Sequence, residues 1–375
     1  MIREIRFKNY KAFKEEQTLE IRPITLLIGK NSSGKTSLCN LIHLLSDSLT
    51  MRIDEDLMID QNRDVFVKEG SSLFHRGDYT SLKISVVNDK DVMLMVDYVH
   101  TGGKTYISEL TYKTHEDTVC HFFDTESRKD INNSLRGAMR KVEIGINQFA
   151  FSVNHILPLR HGGIGVMQRM PYEVKDVCGD GQLAYDMLAN SYIQETSLYP
   201  NVSKWFFDNL EKQEINVSDL IVSHDKKYYL FTVSPYQISI EDVGQGVQQV
   251  LPIIVETYNE NASDITIIEQ PALHLHPAAH AAVIRRIAES AKQLQRHYVI
   301  ESHSENILLE LRRMVSDPNV DLTPDDVIVY YVDKIDGVSY LKPINISKDG
   351  ELSFWPTGVF GEGFEILSQI MQNKS

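Results

Sequence analysis

Gly29-Lys30-Asn31-Ser32-Ser33-Gly34-Lys35-Thr36 reads G-x-x-x-x-G-K-[ST] without a mismatch, the spacing of a phosphate-binding loop. Its flanks supply the required context. Ile24-Thr25-Leu26-Leu27-Ile28 before it is a β-branched and aliphatic run, and Ser37-Leu38-Cys39-Asn40-Leu41-Ile42-His43-Leu44-Leu45 after it carries apolar residues at helical spacing. The order is therefore strand, loop, helix. The two glycines let the backbone curl so that successive N–H groups face phosphate oxygens, and the helix starting near Gly34 adds the positive end of its dipole. Lys35 is expected to reach the β and γ phosphates and Thr36 to offer its hydroxyl to Mg²⁺, with Lys30, Asn31, Ser32, Ser33 and Ser37 completing the cradle.

The 375 residues suffice for one large or two ordinary domains. Apolar content of 42% and charged content of 24% are those of a soluble globular protein. A net charge of −14 argues against a surface that grips nucleic acid by bulk charge, although a local basic groove keeps DNA open as a partner. The basic pairs Arg285-Arg286 and Arg312-Arg313 read as solvated helix faces or ion-pair partners rather than a DNA footprint. Cys39, Cys120 and Cys178 are far apart and form no C-x-x-C pair, which suits a reducing cytosol and offers no disulfide or zinc framework. No apolar run approaches the ~20 residues needed to cross a bilayer. A cytoplasmic location away from membranes is expected.

Taken in order, Arg3 to Tyr10 and Thr18 to Ile21 read as strands leading into the loop strand. Residues 54–70 are acidic and irregular. From Ser81 to Asp124 the pattern alternates, broken at Asn88-Asp89 and Gly102-Gly103, which predicts an antiparallel β layer. Asn147 to Val153 reads as a further strand, ahead of Leu157-Pro158-Leu159-Arg160. Asp180 to Ser191 and Asn201 to Leu210 read as helices, and Tyr228 to Val233 and Gln237 to Ile240 as strands. Glu241 to Gln249 opens a helix through Asn259. Ile265-Thr266-Ile267-Ile268 is a β-branched run of the kind buried on both faces of a parallel sheet. His276-Pro277 starts another helix, and Tyr298-Val299-Ile300-Glu301 is another buried strand. The expected organisation is an N-terminal lobe over 1–155, a helical and β insertion over 156–240 and a C-terminal α/β lobe over 241–375.

A phosphate-binding loop needs a carboxylate at the end of a neighbouring buried strand, because Mg²⁺ keeps its waters and favours an oxygen anion nearby. Glu269 fits that position, with Gln270 next to it to position water. His303, after the strand that ends at Glu301, fits a polar group aimed at the γ-phosphate. Gly244, Gly246 and Gln248 mark a second helix start able to receive phosphate. Two helix N-termini on one γ-phosphate suggest a dimer with each nucleotide held between subunits.

These motifs resemble the ABC-type ATPase heads of SMC and chromosome-repair proteins and of OLD-type bacterial ATPases. Gly29 to Thr36 looks like Walker A, Asp242 to Gln248 a divergent signature, Ile265 to Pro271 Walker B, His274-Leu275-His276-Pro277 the D-loop region, and Glu301-Ser302-His303-Ser304 the switch-histidine loop. The chain is also similar to a bacterial group labelled AAA-family ATPases, whose terminal W-P-x-G-F-F is matched by Trp355-Pro356-Thr357-Gly358-Val359-Phe360 after Phe354. The resemblance implies a P-loop head with a mixed sheet, ATP-driven homodimerisation, and a neighbouring effector such as a nuclease or toxin in phage defence or DNA maintenance.

Where most such heads place Asp-Glu at the end of Walker B, this chain has Glu269-Gln270, and Ala272 stands where its relatives carry an acid. Glutamine orients water but accepts no proton. Slow hydrolysis is expected, with Glu301 or His303 as the stand-in base. His274, His276 and His280 with Glu269 are open to reading as a metal cluster or as loop-packing and helix-capping groups. Arg160 reads as an arginine finger or as a carboxylate partner. Trp355 reads as a core anchor for the tail. Three function classes follow: an ATP-binding switch for a partner, a DNA-stimulated motor, and a transporter subunit. The stretch between Lys35 and Gly244 is far longer than a compact transporter subunit needs.

Overall fold

The computed structural model describes residues 1–50, 70–123, 138–140, 144–145, 148–168, 174–223 and 226–355. The acidic stretch 54–69 and the motif residues 356–360 lie outside these. The chain forms two compact units: the first is Met1–Val153, Ile328–Asn345 and Phe354–Ser375, the second Asn154–Val327 and Ile346–Ser353.

The first unit opens with β1 (Ile2–Lys8), β2 (Gln17–Glu20), β3 (Ile24–Ile28) and helix α1 (Lys35–Thr50). The alternating segment becomes β4 (Leu82–Asn88), β5 (Met93–Thr101), β6 (Lys104–Lys113) and β7 (Thr118–Phe122). An antiparallel sheet in the order β2-β1-β4-β5-β6-β7 results, as the alternation predicts. Ile5 sits opposite both Leu19 and Val86, and Ile84 opposite Val96, which faces Leu110. All six side chains are buried, so one face of the layer is continuous core. The β5–β6 turn is the two-residue Gly102-Gly103, both with positive φ (58° and 79°), the backbone a tight hairpin demands. All five residues of β3 are buried, and α1 buries Leu38, Leu41, Ile42, Leu45 and Leu49 along one stripe.

A strand at Asn147 to Val153 is not what forms. Phe149 and Phe151 are buried without strand structure, the Phe151 carbonyl accepts from Ser46 Oγ of α1 at 2.7 Å, and β8 comes later, at Val153–Ile156. A helix hydroxyl thus satisfies the backbone group that a strand neighbour was expected to pair.

The second unit continues with β9 (Val166–Gln168), α2 (Ala184–Gln194), α3 (Leu198–Asn209), β10 (Glu214–Ser223), β11 (Lys226–Ser234), β12 (Ile238–Ser239), α4 (Gln245–Tyr258), β13 (Ile265–Glu269), α5 (Pro277–Gln293), β14 (His297–Glu301) and α6 (Glu305–Ser316). A small antiparallel sheet runs β10-β11-β12, with β9 also on β11. Its β10–β11 hairpin is longer than the Tyr228 to Val233 strand read from sequence. β13 and β14 pair in parallel, in a register that sets Ile265 beside His297 and Glu269 beside Glu301, and β8 flanks β13. Every residue of β13 is buried, as its β-branched run requires. The last strands, β15 (Val327–Ile335) and β16 (Val338–Ile344), belong to the first unit apart from Val327 and form a hairpin, with β15 beside β3. The pattern reading assigns no element to 305–345, where α6, β15 and β16 stand. Among the described residues no helix is long and apolar enough to cross a membrane.

Candidate functional site

In the first unit, the loop leaves β3 through Gly29 at φ 152° and enters α1 through Gly34 at φ 113°. A Cβ at Gly29 would stand 2.4 Å from the Val332 carbonyl oxygen of β15, so only glycine fits that passage. The hairpin walls the loop further: Ser339 Oγ donates to the Ser33 carbonyl at 2.6 Å and Lys334 Nζ to the Ser32 carbonyl at 3.3 Å. Lys35 is buried and its ammonium donates to the carbonyls of Gly29 at 3.0 Å and Lys30 at 2.9 Å. A buried cation is costly without acceptors, and here the loop backbone supplies them. The Ser33 hydroxyl is buried without a hydrogen-bond partner among the described residues. Lys30, Asn31, Ser32 and Thr36 are exposed along the rim, with Ser37 half-buried behind them. At the start of α1, Ser37 and Leu38 both donate their N–H to the Gly34 carbonyl.

In the second unit, the ends of β13 and β14 carry the remaining motif residues. Glu269 and Glu301 are buried side by side in register. Glu269 Oε1 lies 2.8 Å from His155 Nε2, and that imidazole, at the end of β8, is buried as well. Gln270 turns out of β13 at φ 50°, and its N–H donates to the Glu301 carbonyl at 2.8 Å. Ser302 is buried and braces the turn by accepting from the Ser304 N–H at 3.0 Å. His303 is exposed at its tip.

Arg160 serves neither of the roles read from sequence. It is buried, and its guanidinium donates to three backbone carbonyls, those of Gln249, Glu269 and Gln270. Burial lowers its pKa to about 10, against a smaller upward pull from the Glu269 charge, so it remains a cation at neutral pH. Gln249 holds the Arg160 backbone from both sides: its side-chain Oε1 accepts from the Arg160 N–H at 3.0 Å and its side-chain Nε2 donates to the Arg160 carbonyl at 2.9 Å.

Gly244 is the exposed N-cap of α4, and a Cβ there would meet nothing within 4 Å. Gly246 lies tight against the D-loop region, where a Cβ would come within 2.7 Å of the His274 carbonyl oxygen. Gln248 points inward: its amide donates to the carbonyls of Glu241 and Val243, each at 2.9 Å, and its oxygen accepts from the Gly163 N–H at 3.0 Å. It therefore shapes the approach to the helix start from behind.

His276 and His280 resolve as capping and packing groups, while His274 is exposed. His276 Nδ1 accepts from the Ala278 N–H at the start of α5, and the ring nitrogens of His280 lie 2.8 Å from Ser304 Oγ and 3.1 Å from the Leu275 carbonyl. Trp355 is 38% exposed rather than a core anchor. His155 and Gln249 carried no signal in the sequence reading, because neither lies in a recognisable motif and their partners are remote in the chain.

The fold is that of an SMC-type ATPase head. An SMC head bound to the C-terminal winged-helix domain of ScpA superimposes with a TM-score of 0.54 at 13% identity, over 92% of this chain and 98% of that one. The Smc head of Pyrococcus furiosus, with an extended coiled coil and bound to the C-terminal domain of ScpA, gives 0.51 at 12% identity over 99% of both chains. Residues 1–143 and 182–308 match the AAA ATPase domain family, and the chain belongs to that family. Residues 322–368, which include the β15–β16 hairpin, match a family described as a protein of unknown function (DUF3696). No curated protein matches the sequence.

Proposed function

We propose that the chain binds ATP through the Gly29 to Thr36 loop and works as a slowly hydrolysing switch that dimerises head to head around the nucleotide and controls a partner protein. In this reading Lys35 exchanges the Gly29 and Lys30 carbonyls for phosphate oxygens, a transfer between acceptors that leaves the buried ammonium paired throughout. Thr36 and Glu269 offer a hydroxyl and a carboxylate, the hard oxygen donors that suit Mg²⁺. Bound Mg²⁺ would neutralise charge on the β and γ phosphates. The His155 bond occupies one acceptor position of a carboxylate that has about four, so the cation role stays open to it. The exposed α4 start at Gly244 and Gly246 supplies N–H groups and a dipole to the partner's nucleotide. His303 faces the γ-phosphate, and Glu301 or His303 takes the proton that Gln270 cannot.

The single observation carrying the slow-switch reading is Gln270 at the end of β13. An amide orients water without accepting its proton, which removes a contribution of about 10²- to 10⁴-fold to hydrolysis. That a head of this fold is known bound to a winged-helix domain supports a protein effector, and we take a nuclease or toxin in phage defence or DNA maintenance as the first candidate. Light scattering with and without ATP and Mg²⁺ tests the proposal, with turnover measured in the same samples. The expected outcome is ATP-dependent dimerisation that Lys35→Ala abolishes, with little turnover. Rapid hydrolysis stimulated by DNA would overturn it in favour of a motor.

A further inference from the structure

The geometry points to Arg160 as a positioning residue that, through Gln249, ties the glycine-flanked start of α4 to the Glu269-Gln270 turn, so that nucleotide engagement at that helix start sets the geometry for hydrolysis. The turnover arm of the proposal rests on the ATPase reading above.

Two adjacent residues near the start of α4 spend their side chains on segments outside the helix. Gln248 clamps the loop before the helix through Glu241 and Val243 and reaches Gly163, and Gln249 makes two bonds to the Arg160 backbone. From there the guanidinium spans to the Glu269 and Gln270 carbonyls, with a third bond back to the Gln249 carbonyl at 3.3 Å. A shift near the start of α4 therefore passes to the Glu269-Gln270 turn through three bonds between Gln249 and Arg160 and two from the guanidinium to the turn. Arg160 is 5% exposed, and its planar fork holds several acceptors in fixed directions in a way that an ammonium cannot.

The far end of the link is where direction matters. Gln270 has its N–H fixed by Glu301 and its carbonyl held by Arg160, in left-handed backbone at φ 50° that a side-chain-bearing residue adopts only when its surroundings impose it. Fixing both backbone groups fixes the direction in which its Cα–Cβ bond leaves the chain. Packing alone does not account for the choice of residue. A buried guanidinium carries a desolvation cost that an aliphatic chain avoids, and among the described residues none of its hydrogen bonds goes to a carboxylate and its Nε has no partner.

Arg160→Lys, Gln249→Leu and the double variant of the full chain test the link, with ATP affinity, turnover and amide hydrogen exchange measured on each. The expected result is ATP affinity within about twofold of wild type and turnover lower by about tenfold or more in each single variant. The double variant should fall no further than the worse single, because both residues act in one link. Exchange should rise at the Gln270 amide in each variant without a comparable rise in β3 or α1. Unchanged turnover, additive losses, or a Gln270 amide as protected as in wild type would overturn the proposal. If wild type hydrolyses no ATP, the ATPase reading fails separately, and the exchange comparison still decides the link. Should Gln249→Leu fail to fold, Gln249→Glu keeps the acceptor for the Arg160 N–H and loses the donor, and the same exchange result is required of it.

Discussion

The phosphate loop and the β13 turn are built on opposite plans. In the loop, the critical cation is satisfied locally: Lys35 bonds to carbonyls only six and five positions away in sequence. At the turn, the critical groups are satisfied from afar: His155 and Glu269 are 114 positions apart, and Arg160 reaches the Glu269 carbonyl across 109. The lysine's own acceptors lie within one octapeptide, with the β15–β16 hairpin only walling the loop from outside, whereas the buried side chains of the turn find their partners on distant segments. Substitutions in the loop should therefore act on nucleotide binding and leave the fold standing, while substitutions around the turn should act on stability and catalytic geometry together.

The largest effect is expected at Lys35. Lys35→Ala removes a charge-assisted donor aimed at phosphate and should weaken ATP binding on the order of a thousandfold, read by titration with a fluorescent ATP analogue, with the melting temperature nearly unchanged. A melting temperature that fell in step with affinity would break the comparison, because the loop would then be part of the core.

His155→Leu is the counterpart on the other side. It strands Glu269 as a buried carboxylate and should cost about 3 kcal/mol in denaturant unfolding, although His155 lies in no motif. A cost near zero would show that the Glu269 environment does not depend on β8.

The smallest effect concerns Glu256, another group of the second unit with partners from several segments. It is fully buried on α4, its Oε1 has no hydrogen-bond partner among the described residues, and burial raises its pKa from 4.5 to about 7, only partly offset by the side-chain amides of Asn154 and Asn259 and by the Arg296 charge. Because the folded-state pKa lies above the unfolded one, the stability linked to its proton is complete below pH 4.5 and is lost as pH rises through about 7. Glu256→Gln should match wild type at low pH and exceed it by up to roughly 3 kcal/mol at pH 8 in denaturant unfolding. Parallel pH profiles for the two proteins would contradict this.

The two plans also explain what the sequence shows and hides. The strand, loop and helix around Lys35 and the β-branched run of β13 are legible because each depends on neighbours in sequence: steric freedom at glycine, helical spacing, burial on both faces. Gln270 is legible as a departure because its position is fixed by the strand before it. Arg160 is visible in Leu157-Pro158-Leu159-Arg160, yet its destination is hidden, since no local rule says that a guanidinium will seek three backbone carbonyls. His155 is hidden for the same reason. The strand expected over Asn147 to Val153 fails because Phe149 finds burial against Tyr112 of β6 and the Phe151 carbonyl is taken by Ser46 of α1, a tertiary outcome that an apolar run cannot announce. Gln248 carries the opposite lesson: its place in a signature-like motif suggests contact with nucleotide, and its three bonds turn it inward.

The central claim, that Gln270 makes this head a slow switch, is tested most directly by single-turnover ATP hydrolysis in wild type and Gln270→Glu, with dimer lifetime followed in parallel. A carboxylate at that position restores a proton acceptor, so turnover should rise by about tenfold or more and the ATP-bound dimer should dissociate correspondingly faster. Turnover already rapid in wild type, or no increase in Gln270→Glu while ATP binding persists, would contradict the account.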